Sequence, residues 1–105
     1  MALELKDSNF QEEIKNFKGV SVVDFWAVWC GPCKMISPII EDLGTNFPDI
    51  KVGKVDVDSN PDTAIEYSIR SIPTVLFLKD GEVIDKHVGT GSRTMFFEKV
   101  EALLK

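Results

Sequence analysis

Cys30 and Cys33 are the only cysteines in a chain of 105 residues, and they stand three positions apart in the string Trp29-Cys30-Gly31-Pro32-Cys33-Lys34. Two thiols so placed suit one reaction above others, the reversible exchange of a dithiol for a disulfide. A thiolate attacks a disulfide sulfur, and the second thiol resolves the mixed disulfide that forms. Residues i and i+3 of a helix carry Cβ atoms about 5–6 Å apart, and a disulfide tolerates Cα separations of about 4.4–6.8 Å. One backbone can therefore hold both the open and the closed form. The competing reading of Cys-x-x-Cys is half of a metal site. A structural zinc usually takes four ligands, and His87 is the only histidine. Such a site would need carboxylates, or two thiolates from a second chain in a metal-bridged dimer. A purely structural disulfide is a weaker alternative, because closing so short a loop removes little entropy from the unfolded chain. No metal or other cofactor is expected beyond the redox pair itself.

The flanking residues say what holds the pair. Upstream, Val20-Ser21-Val22-Val23-Asp24-Phe25-Trp26 is a β-type apolar run; downstream, Ile36, Ile39, Ile40, Leu43 and Phe47 recur with helical spacing. The cysteines thus sit where a strand hands over to a helix, and the first turn of a helix turns free N–H groups and the positive end of its dipole toward a thiolate. Cys30, at the open end, is the expected nucleophile, and Cys33, one turn inside, the resolving cysteine. Gly31 and Pro32 add no charge, and Pro32 has no N–H to donate. The pair should be less oxidising than one with a cationic neighbour, which favours a reductase over an oxidase or isomerase; turn geometry alone is the other reading of these two residues.

The remaining chain supplies a scaffold. Leu3 and Leu5 alternate with polar residues as an edge strand would. Ser8 and Gln11 fit a capping box for a helix carrying Phe10, Ile14 and Phe17 that Gly19 ends. Val20–Ala27 is apolar on both faces apart from Ser21 and Asp24, the pattern of a central strand with parallel neighbours and helices on both sides. Pro38 should kink the second helix. Residues 51–57 read as a strand, Asn60-Pro61 as an N-cap and first helical position for a short helix to Tyr67, and residues 74–78 and 82–88 as a hairpin around Lys79-Asp80-Gly81. Ser92 can cap a last helix with Phe96, Phe97, Val100, Leu103 and Leu104 on its apolar side. The order βαβαβαββα predicts one domain over residues 1–105, an α/β sandwich of three layers around a mixed five-stranded sheet with four helices.

Composition narrows the function classes. The chain is 44% hydrophobic and 28% charged, as ordinary globular proteins are, and its net charge of −5 disfavours nucleic acid, which needs a basic face. No span suited to a membrane and no signal-peptide pattern is read, so a reducing cytoplasm is expected. His87, the Phe96-Phe97 pair, Glu41-Asp42 and the Asp56, Asp58 alternation are read as surface or core residues without a chemical role.

Asp24 before Phe25-Trp26, the string Trp29-Cys30-Gly31-Pro32-Cys33-Lys34, Pro38, Ile72-Pro73-Thr74 and Val88-Gly89 together resemble the thioredoxin family over nearly the full length. The resemblance implies the thioredoxin fold and a general protein disulfide reductase, monomeric, acting on disulfide-containing client proteins and re-reduced by a thioredoxin reductase. It implies that Asp24 lies behind Cys33 and moves its proton, with Lys54 as partner; from the strand pattern alone Asp24 could equally face solvent at a bulge or edge. It also implies a cis bond between Ile72 and Pro73, and a substrate-binding surface of Trp29, Ile72, Pro73 and Gly89 beside Gly31 and Pro32. The alternative class is a binding module in which the dithiol is incidental.

Overall fold

In the computed structural model, which describes residues 2–105, five strands form one sheet: β1 (Leu3–Leu5), β2 (Val20–Trp26), β3 (Lys51–Asp56), β4 (Thr74–Lys79) and β5 (Glu82–Val88), in the order β1-β3-β2-β4-β5. Strand β2 is central because both of its faces are apolar. Val20 and Val22 enter one core with Val52, Val75 and Phe77, while Val23 and Phe25 enter the other with Leu5, Val55, Leu76 and Leu78. Helices α1 (Gly31–Asn46) and α3 (Arg93–Leu104) cover the first face through Ile36, Ile40, Leu43, Phe96 and Val100. The second face is covered by Ile14 from a π-helical turn, Gln11–Lys15, by Phe10 just before it, and by Tyr67 and Ile69 from the segment that follows α2 (Pro61–Glu66). This is the α/β three-layer sandwich expected, with a mixed five-stranded sheet and four helical elements.

Several local expectations are corrected. Strand β2 is parallel to β3 but antiparallel to β4, so its neighbours are not both parallel. Helix α2 does not by itself carry the chain back: its six residues rise about 9 Å, whereas a six-residue strand spans about 20 Å. The chain does not travel back along the sheet, and β4 starts at the end where β3 stopped. The hairpin loop shrinks to Asp80-Gly81, both in the left-handed region at φ 53° and 84°, the conformation that Asp-Gly adopts in two-residue turns. The first helix is a short π-helical turn rather than a capped α-helix. Ser8 does not cap it; the Asn9 side chain accepts from the Lys6 N–H at 2.7 Å instead. Pro38 lies inside helix α1, which continues on both sides of it, the place where a missing N–H and the ring bend a helix without ending it. In α3, Ser92 caps as expected, its hydroxyl accepting from the Met95 N–H at 3.1 Å, whereas Leu104 stays exposed.

The cap of α2 comes from elsewhere in the chain. Asn60 occupies the N-cap position but makes no capping hydrogen bond; its side chain accepts from the Asp7 N–H and donates to the Asp56 carbonyl. The free N–H groups of α2 go to Asp7, whose carboxylate accepts from the Thr63 N–H at 2.9 Å, the Thr63 hydroxyl at 2.6 Å and the Asp62 N–H at 3.3 Å. The Thr63 hydroxyl is the main reason the Asp7 carboxyl lies below the usual carboxylate range. Because the folded state prefers this group ionised, its stabilisation is complete above the unfolded carboxylate pKa and is lost as the pH falls through the lowered folded one. Asp7→Ala should cost about 0.5–2 kcal/mol at pH 7, the usual range for a lost cap. In urea unfolding the deficit should shrink as the medium is acidified through the carboxylate range.

Candidate active site

The loop Ala27-Val28-Trp29 joins β2 to α1 and closes on itself, with the Cys30 N–H donating to the Ala27 carbonyl at 3.1 Å. Cys30 is then the N-cap of α1, extended at φ −87° and ψ 106°, and Gly31 and Pro32 begin the helix. Proline is accepted in that first turn because its missing N–H would have no helical acceptor there. The N-cap side chain normally accepts a hydrogen bond from the helix's free N–H groups. Here the acceptor is sulfur: the Cys33 N–H donates to Cys30 Sγ at 3.2 Å. Cys30 and Cys33 are joined as a disulfide with Cα atoms 5.4 Å apart, well inside the window that permits both redox forms without backbone movement. When the bond opens, that N–H and the helix dipole favour charge on Cys30. Exposure does not separate the two sulfurs, since each cysteine is only 3% exposed in the disulfide form. Position in the helix and the hydrogen bond distinguish them.

Around the pair lies an uneven apolar rim. Ala27 packs with both cysteines, and Trp26, Val57 and Ile72 close the cluster. Trp29, the residue before Cys30, is 71% exposed, and its indole N–H donates to Asp58 Oδ2 at 2.9 Å, which tethers the ring without burying it. Asp58 thus has a structural role that its sequence pattern did not show, because its partner stands 29 residues away. Ile72-Pro73 is cis, as the resemblance implied. The Pro73 carbonyl accepts from the Gly89 N–H at 2.8 Å, which ties the proline loop to the end of β5. Gly89 has φ +93°, a conformation that glycine adopts without strain. Among the described residues, the Ile72 N–H and C=O have no intramolecular backbone partner, which leaves both available to an extended segment. A Cβ added at Gly31 would meet nothing within 4 Å, so the surface next to Cys30 is low and open.

Asp24 does not sit at a bulge or a solvent edge. It is fully buried in regular pairing, with Lys54 beside it on β3 and Val75 on β4. By alternation it shares a face with Val22, the face that α1 covers. Neither carboxylate oxygen has a hydrogen-bond partner among the described residues. Burial pushes the Asp24 pKa up to about 7, against a smaller downward pull from the Lys54 charge. A carboxyl so placed holds and releases a proton near neutrality. A cavity of about 320 Å³ at the head of α1 is lined by Cys33, Ser37, Lys54 and Trp26, among others. Lys54 lines this opening and is the register partner of Asp24 on the neighbouring strand. Lys34 is exposed on the same helix.

His87, read as a surface residue, is half-buried: its Nε2 lies 2.8 Å from the Thr90 carbonyl, and its ring packs edge-on against Phe96. Among the described residues no group of three or more His, Cys, Asp or Glu is placed to hold a metal ion. Among the same residues no helix is long and apolar enough to cross a membrane.

Comparison with known proteins agrees with this geometry. The thioredoxin family model matches residues 1–102. Thioredoxin 2 of Chlorobaculum tepidum is 48% identical over 99 residues, which cover 93% of this chain and 91% of that protein. The thioredoxin of Staphylococcus saprophyticus is 45% identical over 100 residues, 94% of each chain. That of Rhodospirillum rubrum is 41% identical over 100 residues, covering 94% of this chain and 96% of its own. With a match of this length over a capped, helix-borne dithiol, the chain belongs to the thioredoxin family and is a thiol–disulfide oxidoreductase.

Proposed function

We propose that this chain reduces protein disulfides with Cys30 as nucleophile and Cys33 as resolving cysteine. The observation that carries this order is the hydrogen bond from the Cys33 N–H to Cys30 Sγ, which favours negative charge on the amino-terminal sulfur. The Cys30 thiolate attacks one sulfur of a client disulfide, forming a mixed disulfide and expelling the other client sulfur as a thiolate. Cys33 then loses its proton and attacks Cys30 Sγ. The Cys30–Cys33 bond forms, the second client sulfur leaves, and two electrons have passed to the client. Asp24 is the base that takes the Cys33 proton, and Lys54 tunes it. A client segment lies extended along Ile72, whose free N–H and C=O pair with it, between Trp29 on one side and Pro73 and Gly89 on the other. Gly31 and Pro32 keep the rim low and uncharged.

The cycle needs a source of two electrons, which we assign to a thioredoxin reductase. A dithiol that must be returned to its reduced form suits a reducing compartment, and we place the chain in the cytoplasm as a monomer of one domain.

The purified chain should accelerate the reduction of insulin by dithiothreitol; no acceleration would favour the binding-module reading. Cys33→Ser should accumulate a covalent complex with a client disulfide, seen on a non-reducing gel, whereas Cys30→Ser should not. A complex trapped by Cys30→Ser alone would reverse the order.

Asp24→Asn separates catalysis from stability. The folded Asp24 pKa of about 7 lies above the usual carboxylate value of 3.8, so the folded state prefers this group protonated. Its contribution is intact below pH ~4 and is lost as the pH rises through about 7. Asp24→Asn should therefore be more stable than the parent above pH 7, by on the order of 2–4 kcal/mol, with the difference closing toward pH 4. The same change should slow resolution of the mixed disulfide roughly tenfold or more near neutrality, measured by rapid quench. A variant that resolves at the parental rate would remove Asp24 from the proton transfer.

A further inference from the structure

Lys54 lies next to Asp24 across the parallel pair β2 and β3, on the face that α1 covers. A buried carboxylate with an ammonium for a neighbour gains most by pairing with it, because an isolated buried charge is costly. The two are nonetheless not hydrogen-bonded. Lys54 Nζ donates to Ser37 Oγ at 2.7 Å and lies 5.2 Å from the centre of the Trp26 ring. Both Asp24 oxygens are left without a partner. Ser37 is on α1 four residues after Cys33, hence on the same helix face, and the two residues line one cavity together with Lys54. The ammonium is drawn toward the helix, and the carboxyl is left alone beneath it.

We propose that Ser37 is a positioning residue of the exchange reaction: its hydroxyl holds the Lys54 ammonium on the cavity wall beside Cys33 and off the Asp24 carboxyl, which stays free to take and return a proton. The inference rests on the reading of Asp24 as the base for Cys33. Other charged groups near Lys54 are Lys34 of α1 on the cavity side and, around the second cavity that Lys54 also lines, Glu4 of β1, Lys6 just beyond it and Asp56 of β3. Opposite Asp24, β4 presents apolar Val75, and the residues of α3 buried in this core are apolar Phe96 and Val100. Among the described residues, it is the Lys54 charge that opposes the upward pull of burial on Asp24. Without the Ser37 hydroxyl, the carboxylates flanking Lys54 in the strand register are Glu4 of β1 and Asp24 of β2, and Asp24, buried and without a partner among the described residues, gains more from the ammonium than the solvated Glu4 does. An ion pair there stabilises the charged form and lowers the proton affinity that the resolving step uses.

The test is a carboxyl ¹³C NMR titration of Asp24 in the oxidised protein, run on the parent, Ser37→Ala, Ser37→Thr, Lys54→Met and the Ser37→Ala/Lys54→Met pair. Lys54→Gln replaces Lys54→Met if that variant does not fold. Ser37→Ala should move the Asp24 midpoint down by about one pH unit, a tenfold loss of proton affinity, and Ser37→Thr should restore it. With Lys54 already replaced, Ser37→Ala should have no further effect. An unchanged or raised midpoint in Ser37→Ala, or the same fall without Lys54, would overturn the assignment of Ser37. The second readout is the pH profile of mixed-disulfide resolution, whose inflection should shift with the titration. A titration that moves while the profile stays would instead overturn the role of Asp24 and with it the link from Ser37 to exchange.

Discussion

The hydrogen bond from the Cys33 N–H to Cys30 Sγ joins the fold to the chemistry. It is a capping interaction in which a redox sulfur replaces the usual oxygen, so the helix that packs Ile36, Ile40 and Leu43 into the core also aims a free N–H at that sulfur. Its geometry depends on where β2 ends. The strand stops at Trp26, a three-residue loop follows, and Cys30 arrives at the first turn of α1 in extended conformation. The sheet and the two helices on that face act as a rigid mount for one short segment.

The same mount carries a cost. Asp24 sits in the middle of the central strand with no hydrogen-bond partner, where an apolar residue would pack without penalty. The carboxyl responds by holding its proton more tightly, as burial demands. Stability has been given up at this position for a group that titrates near neutrality, close to the helix that carries both sulfurs. The rim of the disulfide is arranged on the opposite principle. Trp29 is exposed and the backbone of Ile72 is without a partner among the described residues, and each is held from behind, by Asp58 and by the bond between Pro73 and Gly89.

These supports are tertiary. Asp7 reaches across more than fifty residues to cap α2, Asp58 reaches back to Trp29, and Gly19 and Asp80 exchange hydrogen bonds that tie the hairpin turn to the start of β2. Each joins segments remote in sequence, which local pattern reading assigned to nearer partners or to solvent.

Local chemistry made much of the molecule legible in advance. The apolar run of β2, the helical period after Cys33, the hairpin glycine and the Ser92 cap depend on interactions within a few residues, and so do their signals in the sequence. The dithiol belongs with them, since its spacing and its place at a helix start are local properties. The direction of β4, the partner of each capping group, the burial of Asp24 and the choice of Lys54 between Ser37 and Asp24 are different in kind. They depend on where the segment between β3 and β4 leaves the chain and on which side chains the packed layers bring within hydrogen-bond reach. Those distances exist only once the sheet and helices have packed together.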